Sequence, residues 1–382
     1  MGAATLLASI SVVALAPPGS GAAPTAGGPL GRERPATSAA RHPAHPSRRA
    51  VRLRVLRVSP AGGATGVAPR SPVTVTLSAA TAATSPYPSL SPSVAGSWRG
   101  AGTATLVFRP TEPWIPLSSV TVRVPGGAHG VRAESGSTLT APVSRTFSVA
   151  NGSVLRIQQL LSLLDYSPLA FAPAGSAPPA GDLAAQAAAA YAPPPGHFTW
   201  RTRAWPSQLL ALWQPGVYSV MTRGLVMSFQ ADHGLYVNGQ ITAGLWNDMF
   251  LALSSGVVNT GGYDFALADK TPPEALTVWH DGAVVLHSPA NTGISQSPTA
   301  DGVYPVFARY RYQVMHGTNP DGSLYSDPVQ YVAYFNGGDA VHYLARADYG
   351  IPQSLGCVEL PFAAAAQAWP YLAYGTLVDV TG

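Results

Sequence analysis

Ser354-Leu-Gly-Cys-Val-Glu-Leu360 holds the single cysteine of the chain, and His342 stands fifteen residues before that cysteine. The run Gly337-Gly-Asp-Ala-Val341 predicts a strand that leads directly into His342, and the residues that follow form a loop long enough to bring the imidazole back to the thiol. A cysteine nucleophile needs a base for its proton and backbone N–H groups that stabilise an oxyanion, and Gly356 leaves room for a carbonyl beside residues 355–357. Because a lone free cysteine is more often a buried apolar residue, the histidine spacing carries the prediction of a catalytic thiol.

The composition limits the other classes of chemistry. The chain has 382 residues, of which 46% are apolar and 10% charged, so it is long enough for two or three domains. Its 39 glycines and 37 prolines favour strands and turns over a helical bundle. One cysteine excludes an internal disulfide and a cysteine-based zinc or iron–sulfur site, and no His/Asp/Glu cluster has metal spacing. Serine-hydrolase and P-loop motifs are absent, so the sequence predicts no metal and no cofactor.

The net charge of +4 comes from an N-terminal arm. Eight of the 22 basic residues but only one of the 18 acidic residues, Glu33, lie before residue 58, which leaves the remainder slightly acidic. Such an arm attracts polyanions in general. Aromatic residues are not interleaved with these arginines as base stacking would require, so we expect no nucleic-acid partner.

The first residues predict export. Ala3 to Leu15 form an uncharged apolar run of signal-peptide length that is too short to span a bilayer comfortably, and small residues from Ser20 to Ala23 offer a cleavage site. The usual positive n-region is missing, and whether the segment is cleaved or stays as an anchor is left open. We interpret residues 1–23 as a signal peptide and 24–50 as a disordered basic linker.

Residues 51–150 alternate between apolar and polar positions with a period of two, which predicts an antiparallel β-sandwich. The segment resembles bacterial immunoglobulin-like (Ig-like) wall modules, which act mostly as spacers, through Val58-Ser-Pro60, Gly66-Val-Ala-Pro69 and Gly96-Ser-Trp98. The predicted strands are Val51–Val58, Val73–Leu77, Thr103–Phe108, Val120–Val124 and Arg145–Val149.

Residues 151–256 change to a helical period. The first helix follows Ser153 as N-cap, the second runs from Thr222 as N-cap to Gly234, and the third follows Thr242. An Ala/Pro-rich insertion at 165–214 separates the first two and contains a possible short helix at Asp182–Tyr191.

This order resembles the small three-helix peptidoglycan-binding domain, and the resemblance implies a glycan or wall contact through residues 151–256. A helical connector without ligand affinity is the alternative. The phrases that carry the resemblance are Gly216-Val-Tyr-Ser-Val-Met-Thr222, Phe229-Gln230, Gly234-Leu235, Asn238-Gly239 and Trp246.

Residues 272–382 return to strands. Leu276–His280 and Ala283–His287 predict a hairpin with an Asp281-Gly282 turn, and Pro361–Leu372 predicts one short helix. Further strands are predicted at Gly302–Phe307 and Val329–Phe335. The whole chain is therefore expected to be multidomain and mainly β, with an Ig-like sandwich, a small three-helix domain and a mostly β C-terminal domain.

The C-terminal segment resembles the catalytic domain of the YkuD-type L,D-transpeptidases, in which a histidine, a loop, a Ser/Thr-x-Gly-Cys phrase and a Gly-Thr-x-Val strand follow in order. The matching phrases are Asp301-Gly-Val-Tyr-Pro305, Tyr331-Val-Ala-Tyr-Phe335, Ala340-Val-His342, Ser354-Leu-Gly-Cys357 and Gly375-Thr-Leu-Val-Asp-Val380.

The resemblance implies roles for individual residues. Cys357 would be the nucleophile and His342 its base, with the imidazole oriented by the Tyr343 carbonyl. The backbone of Leu355, Gly356 and Cys357 would line the oxyanion hole, supported by Ser354, and Tyr331 would line the donor site.

The resemblance also implies the reaction. The thiol would attack a peptidoglycan stem peptide after its third residue, a diamino acid, and expel D-Ala. Transfer to the side-chain amine of an acceptor stem would give a 3→3 crosslink in an extracytoplasmic, wall-associated location. Water as acceptor would give L,D-carboxypeptidase activity, and a wall-binding protein with a degenerate catalytic domain is a further alternative. The sequence gives no indication of oligomeric state.

Two positions depart from the family pattern. Leu355 replaces a frequent histidine, and Glu359 replaces a usual Arg or Asn. Glu359 could disfavour an anionic donor, disturb the thiolate or bind an amine acceptor, and these alternatives remain open. His316, in a His-Gly-Thr-Asn-Pro phrase 41 residues before Cys357, is too distant for the family spacing, and we interpret it as part of a turn-rich substrate loop.

Overall fold

A computed structural model describes residues 52–382 of the chain, so the predicted signal peptide and basic linker lie outside the described residues. Within the described part, 18 strands and six helices confirm the expectation of a multidomain, mainly β protein. No helix in residues 52–382 has the length and apolarity needed to cross a membrane.

The Ig-like segment is a sandwich of two antiparallel sheets, ordered β1-β2-β5-β4 and β3-β6-β7. Val73 and Val75 from one sheet and Val120 and Val122 from the other are fully buried in a shared core, as their alternation with threonine predicts. The prediction missed two short Ser/Gly-containing strands, β3 and β4, which have little apolar pattern to detect. The strands are β1 (Val55–Ser59), β2 (Val73–Leu77), β3 (Ser89–Ser91), β4 (Gly96–Arg99), β5 (Thr105–Pro110), β6 (Ser119–Val124) and β7 (Val143–Ser148).

The middle segment contains the three predicted helices, and the predicted side-chain cap is confirmed for the third of them only. The side chain of Ser153 makes no capping hydrogen bond. The N-cap of the second helix is Ser219, three residues before the predicted Thr222, because the Ser219 side chain accepts the capping hydrogen bond. Thr242 caps the third helix as predicted, accepting from Leu245 N. The elements are α1 (Val154–Leu163), β8 (Leu169–Pro173), α2 (Leu183–Tyr191), β9 (Gly196–Trp200), α3 (Ser207–Ala211), α4 (Val220–Asp232) and α5 (Ala243–Ser255).

The Ala/Pro-rich insertion is folded onto α1. Its α2 is the short helix that the sequence suggested, and β8 pairs with β9. Arg156 of α1 is 1% exposed and donates to Gln186 of α2 at 2.6 Å, while Gln159 donates to the Pro194 carbonyl at 2.9 Å. The insertion therefore supplies hydrogen-bond partners to buried polar groups of α1, which a loose loop would not.

The C-terminal segment contains two sheets and one helix. A five-stranded sheet has the order β12-β11-β10-β18-β13, and a four-stranded sheet has the order β14-β15-β16-β17. Its strand β10 precedes residue 272, where the C-terminal segment was expected to begin. The elements are β10 (Asp264–Asp269), β11 (Ala275–His280), β12 (Ala283–Pro289), β13 (Gly302–Pro305), β14 (Ala308–Thr318), β15 (Leu324–Asn336), β16 (Asp339–Tyr343), β17 (Val358–Leu360), α6 (Phe362–Ala368) and β18 (Leu377–Thr381).

Two features of this segment differ in how well the sequence predicted them. The β11–β12 hairpin is confirmed, and its turn residues Asp281 and Gly282 both have positive φ, as an Asp-Gly turn requires. The β14–β15 hairpin is much longer than the strand predicted at Val329–Phe335, because its polar and tyrosine-rich outer half lacks a clear apolar alternation.

The four-stranded sheet brings together the two halves of the predicted catalytic pair. Strand β16 carries His342, and β17 begins directly after Cys357. The two strands are parallel neighbours, with Val341 opposite Val358 and His342 opposite Glu359. Val341 and Val358 are buried in the core that this sheet shares with α6 and β18, so packing holds both strands in register.

Candidate active site

Cys357 and His342 line one cavity of about 760 Å³ beneath the β14–β15 hairpin. The cavity wall combines the loop before β17, the start of β16 and the inner side of the hairpin. Its residues include Gln313, Met315, His316, Tyr325, Asp327, Tyr334, Gly338, Asp339, Arg346, Leu355 and Glu359. The structure therefore places the predicted thiol and the predicted base at the same site.

The thiol of Cys357 lies between backbone groups at the start of β16. Its Sγ is 3.8 Å from the Gly338 carbonyl oxygen, and the backbone of Ala340 also hydrogen-bonds to the sulfur. The pKa of Cys357 is raised to about 12, mainly by burial and to a smaller extent by the charges of Asp339 and Glu359, while the Ala340 backbone lowers it. The resting site therefore holds a protonated thiol, which needs a base before it can attack.

His342 is suited to be that base at neutral pH. Its side chain is 2% exposed, and burial lowers its pKa, with partial compensation from the backbone of Tyr343 and the charge of Glu359. Nδ1 is buried without a hydrogen-bond partner among the described residues, so the structure shows no hydrogen bond by which the Tyr343 carbonyl would orient the ring, as the resemblance implied. The imidazole is neutral at neutral pH and has a nitrogen that can accept a proton.

The loop before Cys357 is held by hydrogen bonds from both sides. Ser354 donates from its Oγ to the Cys357 carbonyl at 2.6 Å and from its backbone N–H to the Thr292 carbonyl at 2.9 Å. Ser297 donates to the Leu355 carbonyl at 3.0 Å. The Gly356 N–H donates to Ser354 Oγ at 3.2 Å, so this amide is not the free oxyanion donor that the sequence suggested. The N–H groups of Leu355 and Cys357 are the remaining candidate donors.

Glu359 is paired rather than free. Arg346 donates to its two carboxylate oxygens from Nε and Nη2, both at 2.7 Å, and the Glu359 side chain is only 3% exposed. The backbone of Glu359 exchanges two hydrogen bonds with Asn291, which anchors β17. The unusual acid beside the thiol is thus balanced by a guanidinium in a bidentate pair.

Comparison with known families agrees with this geometry. Residues 264–380 match the model of the L,D-transpeptidase catalytic domain (YkuD), and residues 50–149 match that of a bacterial Ig-like domain. The chain contains a YkuD-type L,D-transpeptidase domain. The likeness of residues 151–256 to a peptidoglycan-binding domain stays a prediction.

Solved structures of L,D-transpeptidases are similar to the chain at low identity. An enzyme from Mycobacterium smegmatis is 15% identical and has a TM-score of 0.29, the match covering 87% of this chain and 100% of that one. L,D-transpeptidase 3 from Mycobacterium tuberculosis is 15% identical, with a TM-score of 0.30 and coverage of 86% and 98%. The catalytic domain from E. faecium is 26% identical over 31% of this chain and 95% of its own, with a TM-score of 0.29. No curated protein matches the chain.

Two tyrosines that the family resemblance singled out lie outside the cavity of the L,D-transpeptidase domain. Tyr331 has a φ of 56° at an irregularity in the β15–β16 pairing, and its ring packs against Phe362 and Trp369 and does not line the cavity that holds Cys357. Tyr343 packs edge-to-face against Phe362 at 5.2 Å. The bulge explains the difference for Tyr331, because it turns the side chain out of the regular strand alternation.

His316 lies in strand β14, opposite Ser326, and not in a turn. It nevertheless lines the same cavity as Cys357, so the structure brings a second imidazole to the site from the hairpin. The interpretation as a turn-rich loop was wrong, because the regular pairing of β14 continues through Gly317 to Thr318.

Several residues of the site were not predicted from the sequence. Asp339 and Arg346 line the cavity, and the backbone of Gly338 and Ala340 contacts the sulfur. The sequence predicted the strand that leads into His342, but not its parallel pairing with the residues after Cys357. That pairing places Gly338 and Asp339, at the start of β16, near the thiol. Among the described residues, no group of three or more His, Cys, Asp or Glu side chains is arranged to hold a metal ion.

The Arg346–Glu359 pair gives a stability prediction. Replacing Arg346 by Gln leaves a buried carboxylate without its cation, so we expect the free energy of unfolding to fall by about 2 to 3 kcal/mol. Glu359→Gln should cost less, because the Arg346 side chain is 31% exposed and retains contact with water. The double variant should recover most of the loss in chemical denaturation. Equal losses in all three variants would contradict a balancing role for Arg346.

Proposed function

We propose that the chain is an exported peptidoglycan L,D-transpeptidase that forms 3→3 crosslinks through an acyl-enzyme on Cys357. The observation that carries the proposal is the shared cavity of Cys357 and His342 inside a YkuD-type domain. Export and wall location rest on the sequence of the first 23 residues and on the substrate class of the family.

In the first half-reaction, His342 accepts the thiol proton as Sγ bonds to the donor carbonyl carbon. The amide bond to terminal D-Ala breaks, and the imidazolium returns the proton to the leaving amine. The N–H groups of Leu355 and Cys357 stabilise the oxyanion. In the second half-reaction, the acceptor amine bonds to the thioester carbonyl carbon, the C–S bond breaks, and the thiol is regenerated.

The alternative of a degenerate catalytic domain was based on Glu359. The bidentate contact with Arg346 weakens that basis, because a paired carboxylate perturbs the thiol less than a free one, although its charge still raises the pKa of Cys357. Together with a buried neutral imidazole, this favours an active site.

The test is intact-protein mass after incubation with a carbapenem, whose lactam carbonyl acylates acyl-transfer nucleophiles. We expect one adduct on the wild type and none on Cys357→Ala, with both proteins folded by circular dichroism. No adduct on folded wild type would contradict the proposal. Product analysis on purified muropeptides then separates crosslinking from L,D-carboxypeptidase activity.

The helical segment is proposed to contact the wall. Tyr236 after α4 is 83% exposed and lines an open groove with Asn238, Phe307 and Tyr374. Exposed aromatic surface of this kind marks interaction sites. We expect Tyr236→Ala to reduce co-sedimentation with purified peptidoglycan several-fold, whereas Tyr87→Ala, in the Ig-like segment, should not. Equal sedimentation of both variants and wild type would favour the connector alternative.

A further inference from the structure

Asp339 places a carboxylate in the cavity that holds the thiol. It is the first residue of β16, lines the cavity with Cys357, and accepts a hydrogen bond at Oδ2 from Asn336 at 3.1 Å. The other oxygen, Oδ1, lies against Gly356, because a Cβ added to that glycine would overlap it. The Asp339 carboxylate is therefore next to the loop that carries the candidate oxyanion donors, the N–H groups of Leu355 and Cys357.

The cavity leaves this charge uncompensated. Three carboxylates line it, those of Asp327, Asp339 and Glu359, and its arginine, Arg346, is engaged by Glu359. No ion pair in residues 52–382 involves Asp339. A second positive group is thus missing on the side of the cavity where Asp339 lies.

The position of Asp339 opposes the first half-reaction. Its charge raises the pKa of Cys357 and so disfavours the thiolate. A negative group beside the oxyanion also opposes the tetrahedral intermediate. A carboxylate at this position is useful in a different step, one in which a positively charged group must approach the same carbonyl carbon.

The second half-reaction of the proposed function supplies that cation. A side-chain amine of a diamino acid arrives as an ammonium ion, and its nitrogen must reach the thioester carbonyl held on Cys357. We propose that Asp339 is the acceptor-binding carboxylate, which pairs with the side-chain ammonium of the acceptor stem and holds its nitrogen beside the thioester. This inference rests on the proposed function and assigns the acceptor side of its site.

The proton balance of the step follows. The ammonium gives one proton to Asp339, which releases it to solvent, and the neutral amine nitrogen bonds to the carbonyl carbon. The C–S bond breaks, and a second proton from nitrogen passes through His342 to the sulfur. The products are an amide and the free thiol, with one proton released, and no oxidant or reductant is needed.

The experiment compares acceptors in wild type, Asp339→Asn and Asp339→Ser. The donor is a stem tetrapeptide with its diamino acid at position three, and the acceptors are a diamino-acid stem peptide, hydroxylamine and water. Hydroxylamine is uncharged at neutral pH, so it reports transfer without ammonium binding. Asp321→Asn, at the exposed tip of the β14–β15 hairpin, is the matched control.

We expect both Asp339 variants to acylate at least as fast as wild type, since a charge that disfavours the thiolate is gone. Transfer to the stem amine should fall by about 10- to 100-fold, whereas transfer to hydroxylamine and hydrolysis should change less than threefold. Asp321→Asn should behave as wild type in all three reactions.

The outcomes separate the two proposals. Unchanged transfer to the stem amine in folded Asp339 variants, or an equal loss with hydroxylamine, would overturn the acceptor role while leaving the proposed function intact. A slower acylation would also overturn it, because Asp339 would then serve the donor step. A wild type that acylates but only hydrolyses would overturn crosslinking itself, and this is seen without any variant.

Discussion

His342→Gln is expected to slow acylation of Cys357 by a carbapenem about 10²- to 10⁴-fold at neutral pH, the range for loss of a general base. The physical reason is the pKa of the thiol. At about 12, it leaves on the order of one thiol in 10⁵ ionised at neutral pH, so attack depends on a base. Burial lowers the pKa of His342, so the imidazole is unprotonated and ready to accept that proton.

The pH dependence of carbapenem acylation should differ in direction between wild type and His342→Gln. The wild-type rate should fall only when acid protonates His342, below the ordinary pKa of a histidine because its own pKa is lowered. In His342→Gln, the residual rate should rise about tenfold for each pH unit between about pH 7 and pH 9, because this range lies below the thiol pKa of about 12. Adduct formation followed by mass spectrometry at several pH values measures both profiles.

His316→Gln is the comparison for this prediction. Both imidazoles line the cavity, but His316 is exposed on the hairpin, whereas His342 is buried beside the thiol strand. We expect His316→Gln to change the acylation rate less than about fivefold. A large loss in His316→Gln with little change in His342→Gln would reverse the assignment of the base.

Gly356→Ala is expected to reduce acylation at least about 100-fold and to lower the free energy of unfolding by about 1 to 3 kcal/mol. Gly356 has a φ of 118°, a conformation that side-chain-bearing residues rarely adopt, and the added methyl would overlap Asp339 Oδ1. Since the same backbone positions the thiol and the remaining oxyanion donors, a local shift displaces several reacting groups at once. Carbapenem acylation kinetics and thermal unfolding measure the two effects.

The overlap with Asp339 and the backbone strain at residue 356 can be separated with a second variant. Gly356→Ala/Asp339→Ser removes the overlap but keeps the backbone strain, so it should recover only part of the stability. Gly175→Ala is the control, because an added Cβ there meets nothing within 4 Å. Full activity in folded Gly356→Ala would show that the loop tolerates a different backbone and would contradict this account.

The sequence by itself determined the candidate catalytic pair, Cys357 and His342, and the strand that carries the histidine. The pair is recognised by local spacing, a lone cysteine in Ser-x-Gly-Cys fifteen residues after a histidine. This spacing places both residues at one site because β16 and β17 are adjacent parallel strands. The Ig-like sandwich was also predictable, because alternation of valine with threonine directly encodes a half-buried strand.

Only the tertiary structure decided the electrostatics of the site. Arg346 balances Glu359 from a loop thirteen residues earlier, and Asp339 at the start of β16 meets Gly356 in the loop before the neighbouring strand β17. Pairings of this kind depend on register and side-chain direction, which hydrophobic periodicity does not encode. The bulge at Tyr331 shows the same limit, since a shift in register moved that ring from the expected donor site onto Phe362 and Trp369. The sequence predicted the nucleophile and its base, and the fold determined which charges surround them.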